Sequence, residues 1–157
     1  NGNNTLPLHY NICLVSDCLH FQQHHGGLIA TLGRLLDVKN GVAILCQPKR
    51  GDSQENFINL LEMVNGNTTT ANVPGSTTAV APLFDICLLE HGYDDEVERL
   101  HTDFLQKQQQ GLSYYEEIRH YPNILILKKI RPYQEKNDTS RIIQCFEERS
   151  KTKIRSV

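Results

Sequence analysis

The sequence predicts an α/β fold, because strand-like and helix-like patterns alternate along the chain. Four short apolar runs rich in Ile, Val and Leu are separated by segments with helical periodicity. Two of these runs are apolar almost throughout, as expected for strands in a sheet that helices cover on both faces. The predicted order is β-α-β-α-β-α-β, and the sequence contains no internal repeat.

The first three elements are predicted to form a βαβ unit. Residues 10–16 (YNICLVS) and 42–46 (VAILC) are its two strands. Such a crossover is nearly always right-handed and makes the two strands parallel neighbours in one sheet. The helix between them is indicated by apolar residues at helical spacing, namely Leu28, Ile29, Leu32, Leu35 and Leu36.

A second helix is predicted to begin at Asp52, because a capping residue followed three positions later by Glu55 is typical of a helix N-terminus. Residues 65–82 come next and are rich in Asn, Gly, Thr and Pro without periodicity, which predicts an exposed loop insertion. The expected apolar face of the helix comprises Phe57, Ile58, Leu61 and Val64.

The third and fourth strands are predicted at residues 83–89 (LFDICLL) and 124–130 (ILILKKI). Residues 131–157 are expected to be a basic tail that is disordered or forms one short helix. That short helix would use Ile142, Ile143 and Phe146. The helix between the two strands has an acidic first turn, which suits the helix dipole, and apolar positions at Val97, Leu100, Phe104 and Leu105.

Charge and composition narrow the class of partner. The net charge is −2, but residues 128–157 carry +5 and the rest of the chain −7. The basic segment would contact an acidic partner or be a solvated tail. No apolar run approaches the ~18 residues of a membrane span, so we expect no membrane partner. We expect no nucleic acid as partner either. Five cysteines without a CxxC pair favour a reducing compartment, the cytoplasm or the nucleus.

The sequence lacks both glycine-rich phosphate loops, G-x-G-x-x-G and G-x-x-x-x-G-K-[ST]. A nucleotide-type fold without such a loop either binds no nucleotide or is incomplete in this chain. A complete, small flavodoxin-like domain is an alternative. Its one candidate for the loop, Gly26-Gly27, comes ten residues after the first strand.

Three stretches together resemble one protein family. They are residues 14–21 (LVSDCLHF), 47–52 (QPKRGD) and 116–127 (EEIRHYPNILIL), and HYP before an apolar strand is the most specific part. In this order and spacing they resemble the C-terminal half of the seven-strand, class I S-adenosylmethionine methyltransferases. Within that class they are similar to the family that methylates lysines of non-histone proteins. The similarity covers residues 8–130 and implies a partial methyltransferase domain there.

The resemblance implies that the four strands are strands 4 to 7 of a Rossmann-like methyltransferase sheet. The last strand would then insert antiparallel between the second and third strands of this chain. The first three strands of the sheet, with the glycine-rich loop, would lie upstream. The implied cofactor is S-adenosylmethionine, and the implied partner is a protein substrate such as calmodulin.

The resemblance also implies where the site lies. Open α/β sheets bind ligands at the carboxyl ends of their strands, and Ser16 and Asp17 end the first strand. In the family an Asp-x-x-Tyr/Phe motif follows this strand, and Asp17 matches its Asp. The fourth position is His20, so Phe21 would supply the aromatic ring only if the turn shifts by one residue.

The expected roles have simpler alternatives. Ser16 and Asp17 are expected to contact the cofactor, and Asp17 and Phe21 to meet the target lysine, with His20 as a candidate catalytic base. Alternatively, Asp17 caps the next helix, Ser16 merely ends the strand and His20 is a surface residue.

Two further positions bear on binding. Lys49 and Arg50 follow the second strand and would meet an acidic protein substrate, or they form a solvated turn. His24 and His25 have no spaced Cys or carboxylate partners, so no metal site is expected.

Two functions follow from these patterns. The first is the C-terminal half of a protein-lysine methyltransferase, inactive as this chain alone. The second is a non-catalytic protein-interaction fragment of the same fold that does not bind the cofactor. A glycine-rich strand–turn–helix upstream of the chain would distinguish the first from the second. In either case the strand at 10–16 lacks a neighbour on one side, which predicts a poorly stable or self-associating chain.

Overall fold

The computed structural model describes residues 9–66 and 81–155, and the side chains of these except Ile118 and residues 150–155. No helix in these ranges is long and apolar enough to span a bilayer. The strands are β1 (Ile12–Ser16), β2 (Val42–Pro48), β3 (Phe84–Leu89) and β4 (Pro122–Lys129). The helices are α1 (His25–Leu35), α2 (Ser53–Asn65), α3 (Asp95–Gln109), α4 (Glu117–His120) and α5 (Glu135–Arg155), with a 3-10 turn at Gln22–His24.

The four strands form one mixed sheet in the order β1-β2-β4-β3. β1 and β2 are parallel, with Ile12 opposite Val42, as expected for a crossover through α1. β4 lies between β2 and β3 and runs antiparallel to both. The α/β class is confirmed, and the last strand has the place among these four that the family resemblance implies.

β2 and β4 each extend two residues beyond their predicted bounds at one end of their ladder. The added residues pair with one another, Gln47 with Asn123 and Pro48 with Pro122. Gln47 and Asn123 are both buried, so polar side chains continue the strands where the apolar pattern stops. Hydropathy alone therefore ends β2 too early and begins β4 too late.

The hydrophobic core lies on one face of the sheet, where α1, α2 and α5 pack. Alternate residues of β2 and β4 face these helices and are buried. In α2 the predicted apolar residue Ile58 is only half-buried, whereas Leu60 is fully buried. Further large buried residues include Leu19, Ile29, Leu32, Leu36, Leu45, Phe57, Leu61, Val64, Leu83, Phe84, Leu125 and Leu127.

The segment after residue 130 departs most from the expectation. Instead of a disordered tail or one short helix, it forms the 21-residue helix α5, which packs on α1 and α2. Ile142 and Cys145 are buried, whereas Ile143, expected on the apolar face, is 54% exposed. This segment is therefore part of the folded core and not an appendage to it.

An ion pair fixes the start of α5. Arg131 Nη2 lies 2.7 Å from Asp138 Oδ1, and the two side chains are 14% and 4% exposed. Burial raises the pKa of the Asp138 carboxyl, but hydrogen bonds from Arg131 and from the backbone N of Gln134 outweigh it, so the pKa lies below its ordinary value. Arg34 of α1 also pairs with Glu135, the first residue of α5.

The opposite face of the sheet is less covered. On β1, which is an edge strand, Ile12 and Leu14 are 64% and 76% exposed. Within the described ranges β1 pairs with β2 only, so its outer edge has no neighbouring strand. An open edge beside exposed apolar side chains favours association with another surface.

One side chain closes the base of the predicted loop. Asn65 is the last residue of α2 and not the first residue of the loop. Its Oδ1 accepts hydrogen bonds from the backbone N of Leu83 (2.9 Å) and of Phe84 (3.2 Å), and its Nδ2 donates to Phe84 O (2.7 Å). The rest of the predicted insertion, residues 67–80, lies outside the described residues.

Candidate functional site

Three strand ends and one strand start meet at one edge of the sheet. β1, β2 and β3 run in the same direction, so their carboxyl ends at Ser16, Pro48 and Leu89 lie at the same edge. β4 begins at this edge with Pro122. We call it the carboxyl edge. Open α/β sheets bind ligands there, so the residues that follow these strands are the candidates for a site.

Asp17 follows β1 directly and has an unusual backbone conformation. Its φ is +47°, in the left-handed region that Asp tolerates better than most residues. Its backbone N donates to Cys46 O at 3.1 Å, which holds the turn against β2. Its carboxylate Oδ2 lies 3.1 Å from Arg50 Nη2, and both side chains are about half exposed. The structure thus brings together two predicted site residues from the ends of neighbouring strands.

The helix-capping interpretation of Asp17 is wrong. α1 begins at His25 with His24 as its N-cap, and the 3-10 turn before it has Phe21 as its N-cap. Asp17 is therefore the N-cap of neither helix. No side-chain hydrogen bond caps either helix N-terminus. Asp17 therefore stands at the carboxyl edge as the ion-pair partner of Arg50.

The turn after β1 directs two rings outward. Leu19 is buried and held at both backbone groups, because its N donates to Gln47 Oε1 at 3.2 Å and its O accepts from His25 Nε2 at 2.7 Å. This anchor leaves His20 and Phe21 exposed, with ring centroids 3.7 Å apart. Phe21 is 51% exposed. The outward pair offers an aromatic face to a cationic group.

Ser16 is exposed at the last register position of the parallel pair, opposite Cys46. Alternate residues of a strand share a face, so Ser16 lies on the same, poorly covered face as Ile12 and Leu14. A ligand that contacts Ser16 would therefore lie where the carboxyl edge meets the uncovered face.

Lys49 and Arg50 follow β2 and are exposed. Lys49 Nζ lies 4.0 Å from Glu90 Oε1, which follows β3. The two basic residues line an open cleft of about 500 Å³. Arg119 and His120, just before β4, line the same cleft, and neither is indicated as a binding residue by the sequence patterns.

A group of rings and carboxylates at the carboxyl edge is also not indicated by the sequence patterns. Its centre is Tyr121, which is buried and whose hydroxyl donates to Glu98 on α3. Burial raises the pKa of Tyr121, and this hydrogen bond raises it further. The rings of His91 and His101 lie against the Tyr121 ring, with centroid distances of 4.6 and 4.7 Å.

The four-strand mixed sheet, with polar residues gathered at its carboxyl edge, is consistent with a Rossmann-like methyltransferase fold. Residues 3–64 match the model of a protein family described as lysine methyltransferase. The matched segment spans β1 to α2 and contains Ser16, Asp17, Lys49 and Arg50. This match supports a protein-lysine methyltransferase family, whose members depend on S-adenosylmethionine.

Proposed function

We propose that this chain is the C-terminal part of a protein-lysine N-methyltransferase that transfers a methyl group to a lysine of calmodulin or a similar acidic protein. The observation that carries this proposal is the Asp17–Arg50 pair at the carboxyl edge, inside the segment that matches the lysine methyltransferase family. The three stretches that carry the resemblance also resemble calmodulin-lysine N-methyltransferase, which is why calmodulin is the proposed substrate.

The residues around β1 suit one side of a cofactor site. When bound, S-adenosylmethionine supplies the electrophilic methyl group. Ser16 and Asp17 would contact it at the end of β1, and the upstream half of the seven-strand sheet would provide the glycine-rich loop. The exposed Ile12 and Leu14 support this arrangement, because such a half would cover them.

Asp17 is the residue proposed to hold the target lysine. The lysine ammonium must lose a proton before it can accept a methyl group, and its nitrogen must point at the methyl carbon. Before the transfer the lysine nitrogen gives up a proton to solvent, and the Asp17 carboxylate, in competition with Arg50, accepts a hydrogen bond from it. The rings of His20 and Phe21 stabilise the positive charge that returns to the nitrogen as it gains the methyl group. The rate gain expected from these residues is mainly one of positioning.

Lys49 and Arg50 are proposed to contact the acidic protein substrate. Each already has an acidic partner in the chain, Glu90 for Lys49 and Asp17 for Arg50. Because such exposed pairs contribute about 0–1 kcal/mol each, carboxylates of a substrate can replace these partners at small cost.

The test of Asp17 uses the full-length protein that contains this chain. Asp17→Asn is expected to lower kcat/KM for methyl transfer to calmodulin by about 100-fold, because the amide cannot hold and orient the ammonium as a carboxylate does. Glu62→Gln, an exposed carboxylate on α2 within the same matched segment, is the control and should keep wild-type activity. Full activity of the Asp17→Asn variant would contradict the role of Asp17.

The half-domain proposal has a separate test. Titration of the 157-residue chain with S-adenosylmethionine in a calorimeter is expected to give no binding, since half of the cofactor site would be supplied from upstream. Binding in the micromolar range would contradict the half-domain proposal, although the chain would still be a methyltransferase candidate.

A second candidate function is a non-catalytic fragment that binds another protein. The exposed apolar residues and the open edge of β1 favour it, since such a surface associates readily. The sequence upstream of the chain separates the two functions. A glycine-rich strand–turn–helix there supports the enzyme, and a natural chain without one supports the interaction fragment.

A further inference from the structure

We propose that His91, His101 and Glu117 form a binding site for a zinc-class divalent metal ion. One nitrogen of each imidazole and one carboxylate oxygen lie within 4.8 Å of one another. His91 Nε2 is 3.5 Å from Glu117 Oε1. Ligands at about 2.0–2.1 Å from a tetrahedral Zn²⁺ are roughly 3.4 Å apart, so this pair already has the required spacing. The ligand atom of His101 lies within 4.8 Å of these two, so binding requires the exposed His91 and Glu117 side chains to move toward it.

The three ligands come from three elements of the chain. His91 follows β3, His101 lies in α3, and Glu117 is the first residue of α4. Across Asp95–Gln109 no residue of α3 is buried, and the His101 ring of this helix contacts the rings of Tyr115 and Tyr121. A metal ion bound by these ligands would fasten α3 to the strand end and to α4.

Neighbouring groups orient both imidazoles toward the metal position. His101 Nδ1 is 2.7 Å from the Tyr115 hydroxyl, and His91 Nδ1 faces Glu98 Oε1 at 4.0 Å. In each ring Nδ1 therefore faces an oxygen, which favours Nε2 as the nitrogen available to a metal. Metal-bound histidines are typically held in this way by an oxygen at the second nitrogen.

The charges around the cluster favour a cation. Glu117 faces His91 Nε2 directly, and Glu98 faces the other nitrogen of the same ring. His91 and Glu117 line a second cleft, which has a volume of about 390 Å³. Lys49 lines this cleft too, but its ammonium lies 4.0 Å from Glu90. The cleft leaves room for a water molecule as the fourth ligand.

The donor set indicates which metal fits. Two imidazoles and one carboxylate suit Zn²⁺ and its neighbours in the transition series, whereas Mg²⁺ and Ca²⁺ prefer sites made of oxygen atoms. The expectation from sequence, that the chain has no metal site, considered only His24 and His25. Neither of these belongs to the cluster.

The first experiment is a calorimetric titration of the tag-free, chelator-treated 157-residue chain with Zn²⁺. The wild type is expected to bind one ion, and His101→Ala and Glu117→Gln each to lower the affinity by about tenfold or more. His20→Ala removes an exposed histidine outside the cluster and should leave the affinity unchanged. Circular dichroism of each variant shows that it is folded. Absence of binding by the wild type, or equal binding by all variants, would overturn the proposal.

The second experiment tests whether any of the five cysteines binds the metal. For this purpose Co²⁺, whose absorption spectrum reports its ligands, replaces Zn²⁺. A site of two histidines and a carboxylate is expected to give visible d–d absorption without the strong near-ultraviolet band of a cobalt–thiolate bond. A thiolate band that persists in a His91→Ala, His101→Ala double variant would assign the metal to cysteines and overturn the proposal. Tyr115→Phe, which keeps all three ligands, should weaken binding less than His101→Ala.

Discussion

Asp138 shows how one side chain orders a segment that composition alone describes as a charged tail. Its carboxylate accepts hydrogen bonds of 2.7 Å from both terminal nitrogens of Arg131 and from the backbone N of Gln134. Asp138 is buried, so these bonds replace the water that the carboxylate loses on folding. The pair holds the chain between β4 and α5 in one conformation.

The Asp138→Asn variant is expected to lose about 3 kcal/mol of unfolding free energy at neutral pH, because Arg131 is left without a charged partner in a site of low exposure. The folded-state pKa of Asp138 lies below the unfolded value of about 3.9, so the carboxylate stabilises the fold fully above that pH. Its contribution is lost as the pH falls through the folded-state pKa. Urea unfolding of both proteins over this acid range should show their difference shrinking.

A suitable control for Asp138→Asn is Asp103→Asn. Asp103 pairs with Lys107 on the surface of α3, where the side chains are 41% and 48% exposed. Its loss should change the unfolding free energy by less than about 0.5 kcal/mol. A wild-type–variant difference for Asp138 that does not change with pH would argue against the carboxylate as the source of the stability.

Among the elements, α1 is the helix whose packing depends most on small residues. A Cβ added to Gly33 would lie 2.4 Å from Cδ2 of the Tyr133 ring, where α1 meets the segment before α5. The Tyr133 hydroxyl is itself hydrogen-bonded to Thr139, which limits how far the ring can move. A Cβ added to Gly27, in the same helix, would meet nothing within 4 Å.

These two glycines form a matched pair for a stability experiment. Gly27→Ala is expected to raise the unfolding free energy by up to about 1 kcal/mol, because Ala has the higher helix propensity. Gly33→Ala gains the same propensity but must displace the Tyr133 ring, and a net loss of about 1–3 kcal/mol is expected. Chemical denaturation of the two variants measures both values. Equal stabilisation of both would mean that α1 and Tyr133 do not pack closely.

The elements also differ in how far sequence predicts them. The four strands are predictable, because each contains a run of aliphatic residues bounded by polar or turn residues. The helix α5 is not, since Ile142 and Cys145 are the buried apolar positions among its described side chains, in a segment dominated by charged residues. The Arg34–Glu135 contact that orients α5 joins residues 101 positions apart, and no local pattern contains such information.

The two candidate sites also differ in how far the sequence predicts them. Asp17 and Arg50 are predictable as neighbours, because both follow parallel strands whose ends meet at one edge. His91, His101 and Glu117 are separated by 10 and 16 residues, which is unlike the short spacings of local metal motifs. The three residues lie together because the chain turns back between α3 and α4. The hydropathy pattern does not predict the conformation of this turn.

At the scale of the whole molecule, the main feature is a sheet that has helices packed on one face. On its opposite face, the edge strand β1 exposes apolar side chains. The 157-residue chain is therefore expected to self-associate through β1. Leu14→Lys should reduce this association with little change in stability, because Leu14 is already 76% exposed. Sedimentation velocity of both proteins measures the effect.

The control for this prediction is Leu112→Lys, which adds the same charge at a leucine that is 73% exposed and lies outside the sheet. It should leave self-association unchanged. A wild-type chain that sediments as a single monomer and unfolds cooperatively would contradict the expectation that β1 needs a partner.

The Asn65 amide has a consequence for how the length of the protein can vary. It fixes the end of α2 to the start of β3 through three hydrogen bonds, whatever chain joins them. Doubling the length of a flexible connection costs only about 0.6 kcal/mol, so residues can be added or removed between Gly66 and Ala81 at small thermodynamic cost. β3 starts at the edge of the sheet opposite to the carboxyl edge. A reporter peptide inserted between Gly66 and Ala81 would therefore be joined to the sheet at the end remote from Asp17.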